Sequence, residues 1–175
     1  MRAPGLVIIV AALSVGSVAT AALTTIDAPA DVDREAHRLA PPFRPEQTGT
    51  ERAASEVVEL VNAERTRRGL PNLAPHEPVT AAAMAHADDM AARRSMVHFG
   101  VDGSDTGHRL ERQGFAWRTW GESIGAGFAT PELVVDAWMA GDEDRADLLS
   151  ENTFIGVGVA ATPDGTPYWV LVVAT

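Results

Sequence analysis

The chain has 175 residues, which suffices for one ordinary domain with a tail but not for two full domains. Its formal net charge is -10, and all of its basic residues are arginine. A surface of this sign repels phosphate backbones and anionic lipid heads, which argues against nucleic acid and electrostatic membrane docking. Cysteine is absent, so the domain must be held together by its core and not by disulfides.

The N-terminus has the pattern of an export signal. Arg2 precedes an uncharged run from Leu6 to Leu23, and Ala19-Thr20-Ala21 has the small-x-small form that a signal peptidase cleaves. The run is also close to the length that spans a bilayer, so an uncleaved anchor is the alternative. Residues 1–23 are therefore predicted to be a signal peptide or an N-terminal membrane anchor. Both interpretations place the rest of the chain outside the cytoplasm, either secreted or held at the outer face of the membrane.

Residues 24–50 are rich in proline and acidic residues and poor in large apolar ones, which predicts a flexible linker. The domain is then predicted over 51–175. Four helices are predicted from capping residues, helical spacing of apolar residues and terminal glycines. They span 51–68, 78–94, 109–113, and Pro131 to just before Gly141, and Thr50 is the expected N-cap of the first.

Strands are expected towards the C-terminus. Residues 154–161 and 168–173 flank the turn Asp164-Gly165 and predict a hairpin, and a further strand is expected around 117–123. One face of the strand at 154–161 is almost bare backbone, because Gly156, Gly158 and Ala160 alternate with larger residues, so a helix could press closely on it. The element order predicts an α+β fold with a sheet between helical layers.

The stretch Gly121-Glu122-Ser123-Ile124-Gly125 matches the G-x-S-x-G pattern of a hydrolase nucleophile elbow. That elbow requires a helix directly after the serine and a histidine later in the chain, whereas every histidine here precedes Ser123. The serine is therefore interpreted as incidental. Glu122 is the better candidate, because it follows three aromatic residues and a carboxylate in apolar surroundings requires a partner.

His98 is the candidate partner of Glu122, and the alternative is an ordinary structural histidine. It lies just past the second helix and has apolar neighbours. His86 is interpreted as a structural histidine on the inner face of that helix. The remaining histidines, His37, His76 and His108, are assigned to linker, loop and short-helix positions.

Several motifs in order give the chain a resemblance to the prokaryotic, cysteine-free branch of the CAP superfamily, also called the SCP domain after cysteine-rich secretory, antigen 5 and pathogenesis-related 1 proteins. The resemblance covers about 55–175 and rests on Val58-Glu59-Leu60-Val61-Asn62-Ala63-Glu64-Arg65, Arg68-Gly69-Leu70-Pro71, Ala85-His86-Ala87-Asp88-Asp89-Met90-Ala91, His98, Asp102-Gly103-Ser104, Gly121-Glu122-Ser123-Ile124-Gly125, Ala137-Trp138-Met139, Ile155-Gly156-Val157-Gly158-Val159 and Tyr168-Trp169.

The resemblance implies an extracellular three-layer α-β-α sandwich with a central antiparallel sheet and a groove. In the family, a histidine after the second helix, the glutamate of a G-E-N/S motif and a later histidine meet in that groove and can hold a divalent metal, often zinc. His98 and Glu122 match the first two positions.

Asp144 stands where the later histidine belongs. Replacing an imidazole by a carboxylate makes the site harder and closer to the preferences of calcium, magnesium or manganese, or leaves no metal site at all. The predicted groove residues are therefore His98, Glu122 and Asp144, with His98 and Asp144 as the candidate metal ligands. In the alternative interpretation, Asp142 to Asp144 form a solvated acidic face, or Asp144 pairs with Arg145 or Arg94.

The sequence thus predicts an exported domain whose groove binds a small or extended ligand, with a divalent metal as the candidate cofactor. The ligand is expected to be a small molecule, a lipid or a cell-surface component, and contact with a membrane is expected only through the N-terminal segment. One alternative is a metal-assisted hydrolase with Glu122 or His98 as general base. The other is a structural or adhesive surface module, and the sequence favours a role without catalysis.

Overall fold

The structure, a computed structural model, describes residues 48–175. The predicted signal or anchor and nearly all of the predicted linker lie outside the described residues. Among the helices of residues 48–175, none combines the length and the apolar composition that spanning a membrane requires.

The described chain forms five helices and four strands, in the order α1 Gly49–Arg67, β1 Ala74–Pro75, α2 Glu77–Arg93, α3 Thr106–Arg112, β2 Trp120–Ala126, α4 Pro131–Ala140, α5 Asp142–Leu148, β3 Phe154–Ala161 and β4 Pro167–Ala174. The predicted helices correspond to α1 to α4, although α3 begins three residues before the predicted 109–113, and the predicted hairpin matches β3 and β4. The strand expected around 117–123 begins three residues later.

The first helix begins two residues earlier than predicted. Thr48, and not Thr50, is its N-cap, because the Thr48 side chain accepts a hydrogen bond from Glu51 N–H while the Glu51 carboxylate accepts from Thr48 N–H. This reciprocal box requires an acid three positions after the cap. Thr50 has Ala53 at that position, so it cannot form one.

The sheet has the order β1-β3-β4-β2. β4 is antiparallel to both of its neighbours, as expected, whereas the two-residue β1 joins β3 in parallel. Helices cover both faces of β4, which explains its continuous apolar sequence.

Each face of the sheet carries its own hydrophobic core. On one face, β4 residues such as Trp169 and Leu171 pack with α1, α4 and α5. On the other face, the alternate residues Tyr168, Val170, Val172 and Ala174 pack with α2 and α3. The fold is therefore a three-layer α-β-α sandwich, as predicted. On the α2 side, β3 presents Gly156 and Gly158 to the helix, which confirms the predicted close approach.

Arg65 joins the end of α1 to the end of α5. It is buried, and it donates hydrogen bonds to the carbonyl oxygens of Pro71, Leu148 and Ser150 at 2.8, 2.8 and 2.9 Å. Burial without a facing carboxylate lowers its pKa. Because α5 contributes acidic residues to the site described next, this anchor positions part of that site.

The sequence does not predict the helix α5, since the run from Asp142 to Asp144 fits a solvated acidic face. Three acids in the first turn of a helix are stabilised by the positive end of the helix dipole, which accounts for helix formation there.

Candidate functional site

The structure brings His98 and Glu122 together from positions 24 residues apart. His98 lies in the loop after α2, Glu122 lies on β2, and His98 Nδ1 is 2.9 Å from Glu122 Oε1. The Glu122 side chain is 1% exposed, while the His98 side chain is 57% exposed. The imidazole therefore covers a buried carboxylate and keeps its opposite edge open to solvent.

Arg109 is the second partner of Glu122, and sequence reasoning missed it. Its Nη2 lies 2.5 Å from Glu122 Oε2 and 2.9 Å from Thr106 Oγ1. Its Nη1 donates to the carbonyl oxygens of Ser104 and His98 at 2.9 and 3.2 Å. One buried guanidinium thus neutralises the carboxylate and also fixes the loop that carries the histidine. The sequence signal that could have indicated such an arginine was Glu122 itself, because a buried carboxylate requires a countercharge.

His86 is a structural histidine on the inner face of α2, as interpreted, although it also approaches the site. Its Nε2–H donates to Val97 O at 2.9 Å, and the same nitrogen lies 3.9 Å from Glu122 Oε1. Burial lowers its pKa, which favours the neutral ring. It therefore positions Val97, the residue before His98, without adding a full charge to the site.

The electrostatics of the pair favour an ionised carboxylate and a basic imidazole. Burial on its own would raise the pKa of Glu122, but the hydrogen bond from His98 and the charge of Arg109 outweigh it, and the pKa is lowered. The hydrogen bond to Glu122 raises the pKa of His98. A ligand in this site therefore meets an oriented imidazole with increased affinity for a proton.

A hollow of about 270 Å³ opens beside His98, between the α2–α3 loop, β2 and α5. Asp144 lies in its wall, as predicted, so the structure brings all three predicted groove residues to one place. The hollow is strongly acidic. Its lining includes the carboxylates of Asp105, Glu122, Glu143, Asp144 and Asp147.

The alternative partners proposed for Asp144 pair with other acids. Arg145 pairs with Asp142, and Arg94 pairs with Asp164. No ion pair within residues 48–175 includes Asp144. The interpretation of Asp144 as half of a structural ion pair with either arginine is therefore wrong.

Asp147 is a further wall residue that the sequence did not indicate. It lies so close to β2 that a Cβ atom on Gly121 would be 2.3 Å from Asp147 Oδ1. Glycine at 121 therefore leaves the space that the Asp147 carboxylate occupies against the strand. Burial, with the nearby charge of Asp144, raises the pKa of Asp147 to about 6, although the backbone of Glu122 opposes the shift.

Ser123 lies on the opposite face of β2 from Glu122. Ser123 is opposite Leu171 on β4, whereas Glu122 is opposite Val172, and these two β4 residues belong to different cores. The strand also continues to Ala126 instead of turning into a helix. The serine is therefore not placed as a nucleophile elbow would place it.

The raised pKa of Asp147 predicts a pH-dependent contribution to stability. Because the folded value of about 6 exceeds the unfolded value of 3.8, Asp147 contributes stability below about pH 4 that is lost as pH rises through 6. The variant Asp147→Asn lacks this loss, so its free energy of unfolding relative to wild type should increase between pH 4 and pH 7. Urea unfolding of both proteins at several pH values measures this. A difference that does not change with pH would contradict the assignment.

The donors present do not form a metal site of three or more ligands. Within residues 48–175, no group of three or more His, Cys, Asp or Glu side chains is arranged to hold a metal ion. His86 Nε2 is committed to Val97 O, and both Glu122 oxygens have partners within the protein. His98 and Asp144 remain the predicted metal ligands.

The family model for CAP, described as the cysteine-rich secretory protein family, matches residues 58–173. Among curated proteins, the uncharacterized protein YkwD of Bacillus subtilis (strain 168) is 38% identical over 104 residues, which are 59% of this chain and 40% of that protein. The uncharacterized membrane protein YlbC of the same organism is 28% identical over 105 residues, 59% of this chain and 30% of that protein. The match thus spans less than half the length of these curated relatives.

The solved structures that share the fold include two bacterial surface or extracellular proteins. An extracellular protein containing a SCP domain from Bacillus anthracis str. Ames superimposes with a TM-score of 0.64 at 24% identity, covering 76% of this chain and 45% of that chain. An outer surface protein from Borrelia burgdorferi gives a TM-score of 0.65 at 17% identity, covering 69% of this chain and 90% of that chain. At these identities the likeness to solved structures establishes the fold alone. The family model, in contrast, matches most of the described domain, and the chain therefore belongs to the CAP, or cysteine-rich secretory protein, family.

Proposed function

We propose that this chain is an exported ligand-binding domain and that its hollow binds a positively charged group of a small or extended ligand. The observation that carries the proposal is the exposed His98 ring, oriented by a buried Glu122–Arg109 pair at the wall of an acidic hollow. Such a site is rigid before the ligand arrives, which reduces the entropic cost of binding.

The charge distribution supports a cationic group. Glu122 is neutralised by Arg109, but Glu143, Asp144 and Asp147 contribute carboxylates to the same wall without an ion-pair partner among the described residues. A bound cation would favour the ionised form of Asp147, whose pKa is raised to about 6. The hydrogen bond to Glu122 raises the pKa of His98, and its protonated ring would repel a cation. Affinity should therefore rise as pH increases, both through 6 and as His98 loses its proton.

The cation can be an organic ammonium or guanidinium group, or a divalent metal held by His98 and Asp144 with ligand or water oxygens. Both use the same carboxylates, and direct titration separates them. The export part of the proposal is supported by the apolar N-terminal run, and by relatives of this fold described as extracellular or outer-surface proteins.

The test begins with native mass spectrometry of the protein purified from its own culture medium, which reports any bound metal or organic ligand. Isothermal titration with zinc, calcium or manganese chloride and with argininamide then follows, on wild type and on His98→Gln and Asp144→Asn. We expect at least one of these probes to bind. Each variant should weaken that binding at least about tenfold, because a charge-assisted contact contributes about 1.5 kcal/mol or more.

Asp136→Asn serves as the control, since Asp136 is an exposed carboxylate on α4 that does not line the hollow. It should bind like wild type. Equal binding by all four proteins, or no binding of any probe, would reject the proposal in favour of a structural or adhesive module. Turnover of a bound ester or peptide that is lost in His98→Gln would instead favour the hydrolase.

A further inference from the structure

A second groove lies at the other edge of the sheet, away from His98. It has a volume of about 740 Å³ and runs between α1 and α2 over β3. We call it the edge groove; it is lined by Ala54, Ser55 and Val58 of α1, Thr80 and Met84 of α2, and Val157 of β3. A hollow of about 460 Å³ shares Met84 and includes Val159, which extends the edge groove along the strand.

The strand at the floor of the edge groove has one unpaired side in the described chain. β1 ends at Pro75, opposite Ile155, and His76 N–H donates to Ile155 O at 3.0 Å. Peptide groups alternate in direction along a strand, so the N–H and C=O groups of Val157 and Val159 face the same side as those of Ile155. Beyond Ile155, no strand within residues 48–175 pairs on that side.

These peptide groups are also shielded from water. Val157 is 2% exposed and Val159 is 5% exposed. No hydrogen bond among the described residues satisfies their outward N–H and C=O groups. A shielded peptide group without a partner costs about as much as a lost hydrogen bond, and an added strand supplies alternating donors and acceptors along the whole edge.

We propose that the edge groove binds an extended peptide segment of a partner protein, which adds a strand to β3. The unpaired stretch from Gly156 to Ala161 is about 20 Å long, which accommodates about six residues. The side chains of such a peptide point alternately to α1 and to α2, and the groove walls there are small or apolar. Glu51, Glu59 and Asp88 also line the two parts of the groove, so they select a segment that carries lysine or arginine.

Two other occupants fit less well. A second copy presents its own β3 edge, which is equally recessed between two helices, so the edges of two copies cannot meet. The segment that precedes Thr48 contains Pro41, Pro42 and Pro45, which have no N–H to donate. The proline-free stretch before it carries Arg34 and Arg38 but also Asp31, Asp33 and Glu35, so its net charge has the same sign as the acidic rim.

The test uses the full chain and the capped peptide Lys-Val-Thr-Val-Lys-Val-Thr as probe, with amide hydrogen exchange read by NMR. We expect the Val157 and Val159 amides to gain about tenfold protection at a peptide concentration ten times the dissociation constant. The matched probe has the same side chains, but every backbone nitrogen from its second residue onward is methylated. It should give no protection, because it cannot donate to the strand.

A protein variant provides the second arm. Ser55 is exposed on α1 within the edge groove, so Ser55→Arg should block it and weaken binding at least tenfold. Gln113→Arg, the same addition of charge at an exposed position outside the groove, should bind like wild type.

Several results would overturn the proposal. Two of them concern the peptide: equal binding of the methylated probe, and no protection at millimolar peptide. Protection that increases with protein concentration alone would indicate a second copy as the occupant. Protection that is already complete without peptide would indicate an occupant within the chain. Displacement of the peptide by a fatty acid without any change at Val157 and Val159 would likewise reject strand addition.

Discussion

Replacing Gly156 or Gly158 by alanine should destabilise the domain by about 3 kcal/mol or more, at or beyond the upper end of what overpacking usually costs. A Cβ atom on Gly156 would lie 2.2 Å from Thr80 N, and one on Gly158 would lie 2.4 Å from Ala83 C and Met84 N. All of these are backbone atoms of α2. They cannot rotate aside as a side chain could, so the helix itself must shift. Urea unfolding at neutral pH measures the loss.

The loss should extend to the site, because α2 carries His86 and leads into the loop that holds His98. A displaced helix would loosen the hydrogen bond from His86 to Val97, next to His98. We therefore expect any variant that still folds to show weaker ligand binding in the hollow, although neither glycine touches it.

Two control variants test this explanation. Gly49→Ala adds a methyl group at the first residue of α1, where nothing lies within 4 Å of the new Cβ, so it should be neutral or slightly stabilising. Ala83→Gly should not rescue Gly158→Ala, because the clash involves the Ala83 backbone and not its methyl group. The explanation would be wrong if Ala83→Gly rescued Gly158→Ala, or if both strand variants cost less than about 1 kcal/mol. Either result would show that α2 can shift away from β3 at little cost.

The helix starts and the close approach of α2 to β3 could be predicted from the sequence because their causes are local or periodic. Thr130 followed by Pro131 defines the start of a helix within three residues, and the alternation of glycine with valine in β3 defines a face that must be covered closely. The three-layer arrangement followed from the order of such elements, and the family resemblance added the groove.

Other features were missed because they depend on residues that are distant in sequence. Arg109 cannot be told from any other residue of a short helix until the fold places Glu122 beside it. Asp147 is recognised as a wall residue only when the fold places its carboxylate against Gly121 of β2. The pairing of His98 with Glu122 could be predicted because each is a polar residue among apolar neighbours and because both match groove positions of the family that the chain resembles. Nothing of that kind marked the arginine.

The second large effect is expected from Arg109→Met, which should destabilise the domain by about 3–5 kcal/mol at neutral pH. The change removes a buried countercharge 2.5 Å from Glu122 Oε2, while the methionine stem keeps most of the packing volume. It also removes the donors to the carbonyl oxygens of Ser104 and His98. The loop between α2 and α3 should then exchange its amide hydrogens faster than in wild type.

The pH dependence distinguishes a stranded charge from simple loss of packing. Wild-type Glu122 has a lowered pKa, so its contribution to stability is present above the unfolded value of 4.5 and is lost as pH falls through the lower folded value. Without Arg109, burial dominates and the pKa of Glu122 should rise above 4.5. The destabilisation of Arg109→Met should therefore be largest at neutral pH and should shrink as pH falls and Glu122 takes up a proton.

A double variant and a control variant complete the test. Adding Glu122→Gln to Arg109→Met removes the stranded charge, so the double variant should be more stable than Arg109→Met alone at neutral pH. Arg112→Met, one turn along α3, breaks only an exposed pair with Asp102 and should cost less than about 1 kcal/mol. If Arg109→Met cost no more than Arg112→Met, or if its cost did not vary with pH, the guanidinium would not be the countercharge of Glu122. The orientation of His98 would then need another cause, because the arginine is the contact that holds both the carboxylate and the histidine loop in place.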